Sequence, residues 1–296
     1  MGDVRVAVLG AGPAGLAAAM QLQRQGQQPV VLEAEQPGGL LRNAHLVENY
    51  PGFPGGISGL ELVDLFVGQA RELNVEIHSA RVSKLSVRED RFQIESTQGS
   101  LTAEIAVLAT GTEPKPLTEV HFGPSARRDF YYHVVPLLER REQKILIIGA
   151  GDAALDYALN LSRHNRVVIF NRGTRVKGLG LLWRRIQRVP AIEYRDQHQV
   201  REIQRTAGGR LQVLAACENK RTALEVDAVL AAVGRQPALS YLDPALRDRL
   251  SVYRRQGRIY LIGDLRNQLY RQTAIAVGDG VKAAMEIEGS RQEEQA

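Results

Sequence analysis

The chain has few cysteines and few aromatic residues, and it lacks long apolar segments. Cys217 is the single cysteine among 296 residues, which excludes an intrachain disulfide framework and any metal site built from several thiolates. No apolar run approaches the roughly eighteen residues that a membrane helix requires. Aromatic residues make up 5% of the chain, and no nucleic-acid recognition module is visible. We therefore expect a cytoplasmic protein without metal, nucleic-acid or membrane partners.

Acidic residues are missing from one long stretch, residues 157–192. The chain carries a net charge of +5, and this stretch concentrates the cations Arg163, Arg166, Arg172, Arg175, Lys177, Arg184, Arg185 and Arg188. Such a band is typical either of a solvated surface with contacts to nucleotide phosphates or of a surface that attracts an acidic protein. The sequence leaves both interpretations open.

A glycine-rich turn occurs twice, each time after an apolar strand and before a helix. The first turn, after residues 4–9, contains Gly10, Gly12, Pro13, Ala14 and Gly15. The second turn, after residues 145–148, contains Gly149, Gly151, Asp152, Ala153 and Ala154. In such turns the backbone N–H groups and the positive end of the helix bind a pyrophosphate. The two turns therefore predict two bound dinucleotides.

The residue after the next strand distinguishes the two turns. Glu33 follows Gly10 by 23 residues, at the position where a carboxylate binds the ribose of a dinucleotide. The corresponding residue after the second turn is Asn171, and the cations that follow it are Arg172, Arg175 and Lys177. These cations can pair with a 2′-phosphate, which favours NADPH over NADH. Alternatively, they are surface charges of a domain that no longer binds nucleotide.

The repeat predicts an α/β fold with two Rossmann-like dinucleotide-binding domains of the three-layer ββα kind, the second inserted in the first. Proline-containing stretches at residues 113–116 and 235–237 flank the inner repeat, as is typical of domain junctions. We predict an outer domain formed by residues 1–116 and 235–296. Residues 117–234 are predicted to form the inserted domain.

These motifs resemble the low-molecular-weight thioredoxin reductase family, within the pyridine nucleotide-disulfide oxidoreductase superfamily. Further shared motifs are Val-Glu-Asn-Tyr-Pro-Gly at residues 47–52, Ala109-Thr110-Gly111, Gly263-Asp264 and Tyr-Arg-Gln at residues 270–272. The resemblance implies that the outer domain binds FAD, that the inserted domain binds NADPH, and that the protein forms a homodimer.

By this resemblance, Glu33 would bind the adenosine ribose, Asn49 would approach the isoalloxazine and Asp264 would lie at the ribityl and phosphate region. The full FAD set that it implies is Gly10, Gly12, Pro13, Ala14, Gly15, Glu33, Gly38, Gly39, Leu40, Asn49, Val82, Ala109, Thr110, Gly111, Gly263, Asp264, Arg271, Gln272 and Thr273. Gly38–Leu40 would follow the flavin phosphates, and Arg271 and Gln272 the pyrimidine edge. The NADPH set is Gly149, Gly151, Asp152, Ala153, Ala154, Asn171, Arg172, Arg175, Lys177 and Gly234.

One family motif is absent. Thioredoxin reductases carry a redox-active Cys-x-x-Cys before the second turn, and here that tetrad falls on residues 132–135, Tyr-His-Val-Val. Disulfide exchange needs an attacking thiolate and a second, resolving sulfur. His133 is either a proton donor near the flavin or a partly exposed residue at a helix start. We interpret Cys217, in an apolar strand at residues 211–217, as core packing.

Because the tetrad at residues 132–135 has no thiol, the sequence favours an enzyme that transfers electrons without a protein disulfide. Residues 149–161 are similar to the corresponding stretch of the ferredoxin–NADP reductases of bacteria and archaea, although this chain stops soon after a helix at residues 281–287. We expect an FAD-dependent NADPH:acceptor oxidoreductase with ferredoxin or flavodoxin as the acidic partner. The alternatives are an NAD(P)H reductase of small, quinone-like acceptors and a non-catalytic FAD-binding structural or regulatory protein.

Overall fold

The structure is a computed structural model that describes residues 2–217 and 220–295. The chain divides into two units. The first comprises the chain up to Arg42, Val47–Glu113 and the chain from Gln236; the second comprises Asn43–Leu46 and Pro114–Arg235. Residues 43–46, which the sequence places within the outer domain, group with the second unit because their backbone and side chains bond to it.

The elements of the chain, in order, have the following bounds. Up to residue 114 they are β1 Asp3–Leu9, α1 Pro13–Arg24, β2 Val30–Glu33, α2 Gly59–Glu72, β3 Glu76–Ser79, β4 Val82–Arg88, β5 Arg91–Ser96, β6 Gly99–Leu108 and β7 Thr112–Pro114. Then follow β8 His121–Phe122, β9 Phe130–Tyr131, β10 Lys144–Ile148, α3 Asp152–Leu161, β11 Arg166–Phe170, α4 Gly180–Ile186, β12 Ile192–Arg195, β13 His198–Arg205, β14 Leu211–Cys217, β15 Lys220–Val226, β16 Ala228–Ala231 and β17 Arg235–Pro237. The last are α5 Pro244–Arg255, β18 Ile259–Leu261, α6 Asp264–Asn267 and α7 Thr273–Gln295.

The first unit is built on a parallel sheet of order β3-β2-β1-β6, with β18 parallel to β6. The long strand β6 also belongs to an antiparallel meander with β4 and β5. On one face of β1, Ala7 and Leu9 pack against buried meander residues such as Phe92. Val6, on the opposite face, is also buried, and α1 packs on β1. Burial of both faces explains why β1 is an almost continuous apolar run.

The second unit has three layers. Its parallel sheet has the order β12-β11-β10-β16-β9, and a second sheet has the order β15-β14-β13-β8. Alternate residues of β10 point to opposite faces of the parallel sheet. Leu146 packs towards the second sheet, whereas Ile147 packs against α3 and α4. The predicted α/β fold with three-layer ββα units is confirmed. None of the helices in the described part of the chain is long and apolar enough to span a bilayer.

The packing of α7 against α1 depends on one glycine. A Cβ atom at Gly280 would overlap the carbonyl oxygen of Ala14, whereas a Cβ atom at Gly278 would meet nothing within 4 Å. Gly280→Ala should therefore lower the free energy of unfolding by about 1–3 kcal/mol. Gly278→Ala, two residues away on the same helix, should raise it by up to about 1 kcal/mol because alanine favours helix. Urea unfolding curves of both variants check this pair, and equal effects would contradict it.

Candidate functional site

Four strands of the first unit end side by side. Leu9 lies in register with Leu32 of β2 and with Leu108 of β6, and Leu108 lies in register with Leu261 of β18. The segments that follow these strands therefore emerge at one edge of the sheet. They contain the Gly10 turn, Ala109-Thr110-Gly111 and Gly263-Asp264, and Glu33, the last residue of β2, lies at the same edge. The parallel register thus gathers four separate parts of the predicted FAD set.

The turn after β1 forms a concave backbone surface, here called the cradle, in which a Cβ atom at Gly10 or Gly15 would clash with the backbone. Gly10 has φ +103°, and a Cβ atom there would lie 2.5 Å from the carbonyl oxygen of Ala109. A Cβ atom at Gly15 would overlap the Gly10 carbonyl oxygen. The Gly38 N–H donates to the Ala11 carbonyl oxygen at 2.8 Å, and the next residue, Gly39, lies against Gly12. The exposed amides and the N-terminus of α1, which starts at Pro13, fit a pyrophosphate.

Glu33 lies directly beside this turn. Its Oε2 accepts a hydrogen bond from the Ala11 N–H at 2.6 Å, and its Oε1 accepts one from the Glu35 N–H at 2.9 Å. A carboxylate held there has free lone pairs for a ribose diol. The Ala80 N–H donates to the Glu33 carbonyl oxygen at 2.7 Å, so the chain reaches half-buried Val82, the first residue of β4, just beyond the same edge.

Two further residues support the edge of the sheet and were missed by the sequence analysis. The Thr110 hydroxyl donates to the Ala238 carbonyl oxygen at 2.9 Å and lies 3.2 Å from the hydroxyl of Tyr241. Burial raises the pKa of Tyr241, so this phenol stays protonated. Asp279 of α7 accepts a hydrogen bond from the Gly263 N–H at 3.0 Å. Asp279 lies between Gly278 and Gly280 in the mostly apolar first half of α7, and this pattern was the signal available for it.

The residues predicted at the isoalloxazine come together from distant parts of the chain. The Asn49 side-chain amide donates to Gln272 Oε1 at 2.7 Å. Gln272 is followed directly by Thr273, the first residue of α7, and preceded by half-buried Arg271. Gly263 has φ +64°, and a Cβ atom there would meet the Ala14 side chain at 2.8 Å. Its neighbour Asp264 starts α6, and Leu40 lies in the 3-10 turn Gly39–Asn43.

The second unit repeats this construction. Ile148 lies in register with Phe170 and Ala231, so Gly149, Asn171 and the segment leading to Gly234 share one edge of the sheet. Gly149 has φ +120°, and a Cβ atom there would overlap the Ala232 carbonyl oxygen. Gly151 precedes α3, Asp152 and Ala153 are exposed in its first turn, and Ala154 is buried against the sheet. The open amides at this turn fit a second pyrophosphate.

A loop folds back over the second turn. The Lys177 N–H donates to the Ala150 carbonyl oxygen at 3.0 Å, and Asp152 Oδ1 accepts a hydrogen bond from the Leu179 N–H at 2.6 Å. Asn171, with 8% of its surface exposed, donates to the Arg175 carbonyl oxygen at 3.1 Å and to the Tyr194 hydroxyl at 2.9 Å. Asn171 therefore positions the loop that carries the cations.

The three cations of this loop face solvent. Arg172, Arg175 and Lys177 are exposed, and none of them forms an ion pair with a residue that the structure describes. Their charges are therefore available to a ligand with a phosphate group. Tyr194, which anchors Asn171, was not predicted from the sequence and packs edge-on against Trp183.

The tetrad at the thiol position of the family is part of a different arrangement. His133 is half-buried in a bend, as expected for a partly exposed residue, and it lies two positions before a 3-10 turn that starts at Val135 rather than at the start of an α-helix. The Val134 N–H donates to the Asn43 side chain at 3.2 Å, and Asn43 Nδ2 lies 3.5 Å from His133 Nδ1. The backbone N–H of His45 donates to Asp156 at 2.8 Å. Residues 43–46 are thereby fixed to the second unit.

Cys217 is not a core residue. It ends β14, in register with His198 and Lys220, and is half-buried. The alternate residues before it, among them Val213 and Ala215, belong to the buried core, whereas Cys217 does not. The interpretation of Cys217 as core packing is therefore wrong.

The chain matches the family described as pyridine nucleotide-disulphide oxidoreductase over residues 4–280. It is 28% identical to a thioredoxin reductase of Rickettsia felis, with 96% of this chain and 97% of the relative covered. It is also 28% identical to thioredoxin reductase 1, mitochondrial, of Arabidopsis thaliana, over 98% of this chain and 84% of the relative. The structure of Lactococcus lactis thioredoxin reductase superposes with a TM-score of 0.85 at 26% identity, covering 97% of this chain and 98% of the other.

Enzymes of the thioredoxin reductase type use FAD and NADPH, and the two edges described above have the turns, the ribose carboxylate and the free cations that suit these two dinucleotides. The likeness extends along nearly the whole chain. This protein is a flavin-dependent oxidoreductase and belongs to the pyridine nucleotide-disulphide oxidoreductase family.

Proposed function

We propose that the protein is an NADPH:acceptor oxidoreductase that passes electrons from its flavin to an external acceptor without a protein dithiol, with ferredoxin or flavodoxin as the acceptor. One observation carries the proposal: both dinucleotide edges are formed, while the tetrad at residues 132–135 holds no sulfur and the single cysteine ends β14. The route by which a dithiol enzyme reduces thioredoxin needs two cysteine thiols, and this chain has one.

The chain would hold FAD and NADPH, which when bound would supply hydride transfer to the flavin and the release of electrons to an acceptor. The residues of the chain bind and orient the two dinucleotides. The amides of the Gly10 turn and of the Gly149 turn hold the two pyrophosphates, and Glu33 holds a ribose through its carboxylate. The linked Asn49 and Gln272 amides present donors and an acceptor to the polar edge of the flavin.

The relatives named thioredoxin reductase leave the acceptor open for this chain. An acidic electron carrier is supported by the cations of residues 157–192 and by the similarity of residues 149–161 to ferredoxin–NADP reductases.

The homodimer implied by the family resemblance is part of the same proposal. It is supported by exposed apolar side chains on α7, where Met285 is 58% and Ile275 is 39% exposed.

The test is anaerobic stopped-flow spectroscopy of the flavin, first with NADPH or NADH and then with an acceptor. We expect NADPH to bleach the flavin faster than NADH, and oxidised ferredoxin to restore its colour. The Cys217→Ser variant should behave as the wild type does. A flavin that neither nucleotide reduces would overturn the proposal and favour a non-catalytic flavoprotein. Reoxidation by a quinone but not by ferredoxin or flavodoxin would favour a reductase of small acceptors.

A further inference from the structure

A basic cavity lies in the second unit at the end of α3. It has a volume of about 180 Å³, and its lining includes Arg141, Arg163, His164, Asn160 and Asn165. Among the residues that the structure describes, no aspartate or glutamate lines it. Glu139 and Glu142, which flank Arg141 at short range in the sequence, are exposed and are not part of its lining. The cavity thus combines two guanidinium groups and an imidazole without a compensating carboxylate.

The cationic groups of this cavity are free to bind a ligand. Arg141 is held in place by hydrogen bonds from Nη1 to the carbonyl oxygens of Leu138 and Arg140, at 2.7 Å and 3.0 Å. Neither Arg141 nor Arg163 forms an ion pair with any residue in the described ranges. Asn165 already donates to two carbonyl oxygens and accepts from the Gln143 N–H, so it forms part of the wall. The remaining N–H donors of the Arg141 and Arg163 guanidinium groups favour an anionic ligand.

The cavity is separate from the NADPH edge of the same unit. α3 starts at the Gly149 turn and has 10 residues, which places its two ends about 15 Å apart. The carboxyl end of a helix carries a partial negative charge, so an anion bound here is held by the arginine side chains and not by the helix end. Arg141, Arg163 and His164 are all exposed, which suits an acidic surface that brings several carboxylates at once.

The cavity adjoins residues 43–46 of the same unit. Asp156, on α3, accepts the hydrogen bond from His45, and Arg163 lies in the turn that follows the end of this helix. Burial lowers the pKa of His45, and the neighbouring Arg163 and Arg185 lower it further. A protein seated on the cavity would therefore lie beside residues 43–46, which group with the same unit.

We propose that this cavity is the docking site for an acidic electron-carrier protein, which places a surface carboxylate between Arg141 and Arg163. The inference rests on the proposed function and adds the location of the partner. The charge complementarity, the missing acids and the position next to residues 43–46 carry it. Exposed charges of this kind act mainly on the association rate and its salt dependence.

The experiment measures NADPH-driven reduction of a [2Fe-2S] ferredoxin at low and high ionic strength, with Arg141→Glu/Arg163→Glu and the control Arg221→Glu. Arg221 is an exposed arginine of β15 in the same unit, without an ion pair to a described residue. We expect the double variant to raise the KM for ferredoxin by roughly tenfold or more at low salt and to flatten the salt dependence. Arg221→Glu should stay within about twofold of the wild type.

Three results would overturn the docking site. The first is a double variant whose KM for ferredoxin equals that of Arg221→Glu. The second is calorimetric binding of inorganic phosphate that Arg163→Glu abolishes while the KM for ferredoxin is unchanged, which would make the cavity a small-anion site. The third is flavin that NADPH bleaches but that neither ferredoxin nor flavodoxin reoxidises. Flavin bleaching by NADPH, recorded on the same samples, reports the proposed function separately, because its failure in the wild type would overturn that function.

Discussion

Gly10→Ala is expected to yield a folded protein that no longer retains FAD. The new Cβ atom would lie 2.5 Å from the Ala109 carbonyl oxygen, and both atoms belong to the backbone framework of the sheet edge, so neither can move without opening the cradle. The glycine also has φ +103°, a conformation that alanine rarely adopts. The measurement is the ratio of flavin to protein absorbance after purification, together with far-ultraviolet circular dichroism for the fold.

Gly68→Ala is the matched control. Gly68 lies inside α2, has ordinary helical backbone and would place its Cβ atom in open space. Alanine there should retain FAD fully and raise the unfolding temperature slightly, because alanine favours helix by up to about 1 kcal/mol. Full flavin content in Gly10→Ala would contradict the assignment of the first turn to the pyrophosphate of FAD.

Arg172→Ala/Arg175→Ala should raise the KM for NADPH on the order of 100-fold and leave the KM for NADH within about twofold. The estimate follows from charge-assisted hydrogen bonds that contribute roughly 1.5–3 kcal/mol each. Both arginines are exposed, and no described residue pairs with them, so their removal breaks no internal ion pair. Steady-state turnover with ferricyanide, run with each nucleotide, measures the two constants.

Lys220→Ala/Arg221→Ala removes the same charge from β15, away from the nucleotide edge of the second unit. This control should leave both constants unchanged. A proportional rise of the KM for both nucleotides in the Arg172→Ala/Arg175→Ala protein would show that these side chains hold the loop rather than the 2′-phosphate. Asn171→Ala provides the comparison for loss of the loop itself, since the Asn171 amide links the Arg175 carbonyl oxygen to Tyr194.

The local elements and the cofactor edges follow from the sequence because their determinants are local. The strand Leu211–Cys217 has its predicted bounds, and the strand predicted at residues 145–148 starts one residue earlier, at Lys144. The helix predicted after the first turn starts inside that turn, at Pro13, because proline suits the first position of a helix. Parallel strands that end in register place their following residues together, so Gly10 and Glu33 could be brought to one site from spacing alone.

The parts that could not be predicted depend on contacts between residues that are distant in the chain. Asn43 meets Val134 across 91 positions, and no pattern in the sequence marks either residue as a partner. The cations of residues 157–192 are close together in the sequence, but the chain reverses its direction between α3 and β11. Arg166 therefore starts β11 at one edge of the sheet, whereas Arg172 follows its other end. One charged stretch thus yields a nucleotide loop and a separate basic cavity.

The most direct test of a flavoenzyme without a dithiol is an anaerobic titration that counts electrons per FAD. A protein whose single redox group is its flavin takes up two electrons per FAD. One equivalent of NADPH should therefore bleach the flavin, and NADPH added beyond that should remain unoxidised. Cys217→Ser should give the same end point. Uptake of four electrons per FAD would reveal a second redox group and contradict the account, and so would a flavin that stays oxidised with excess NADPH.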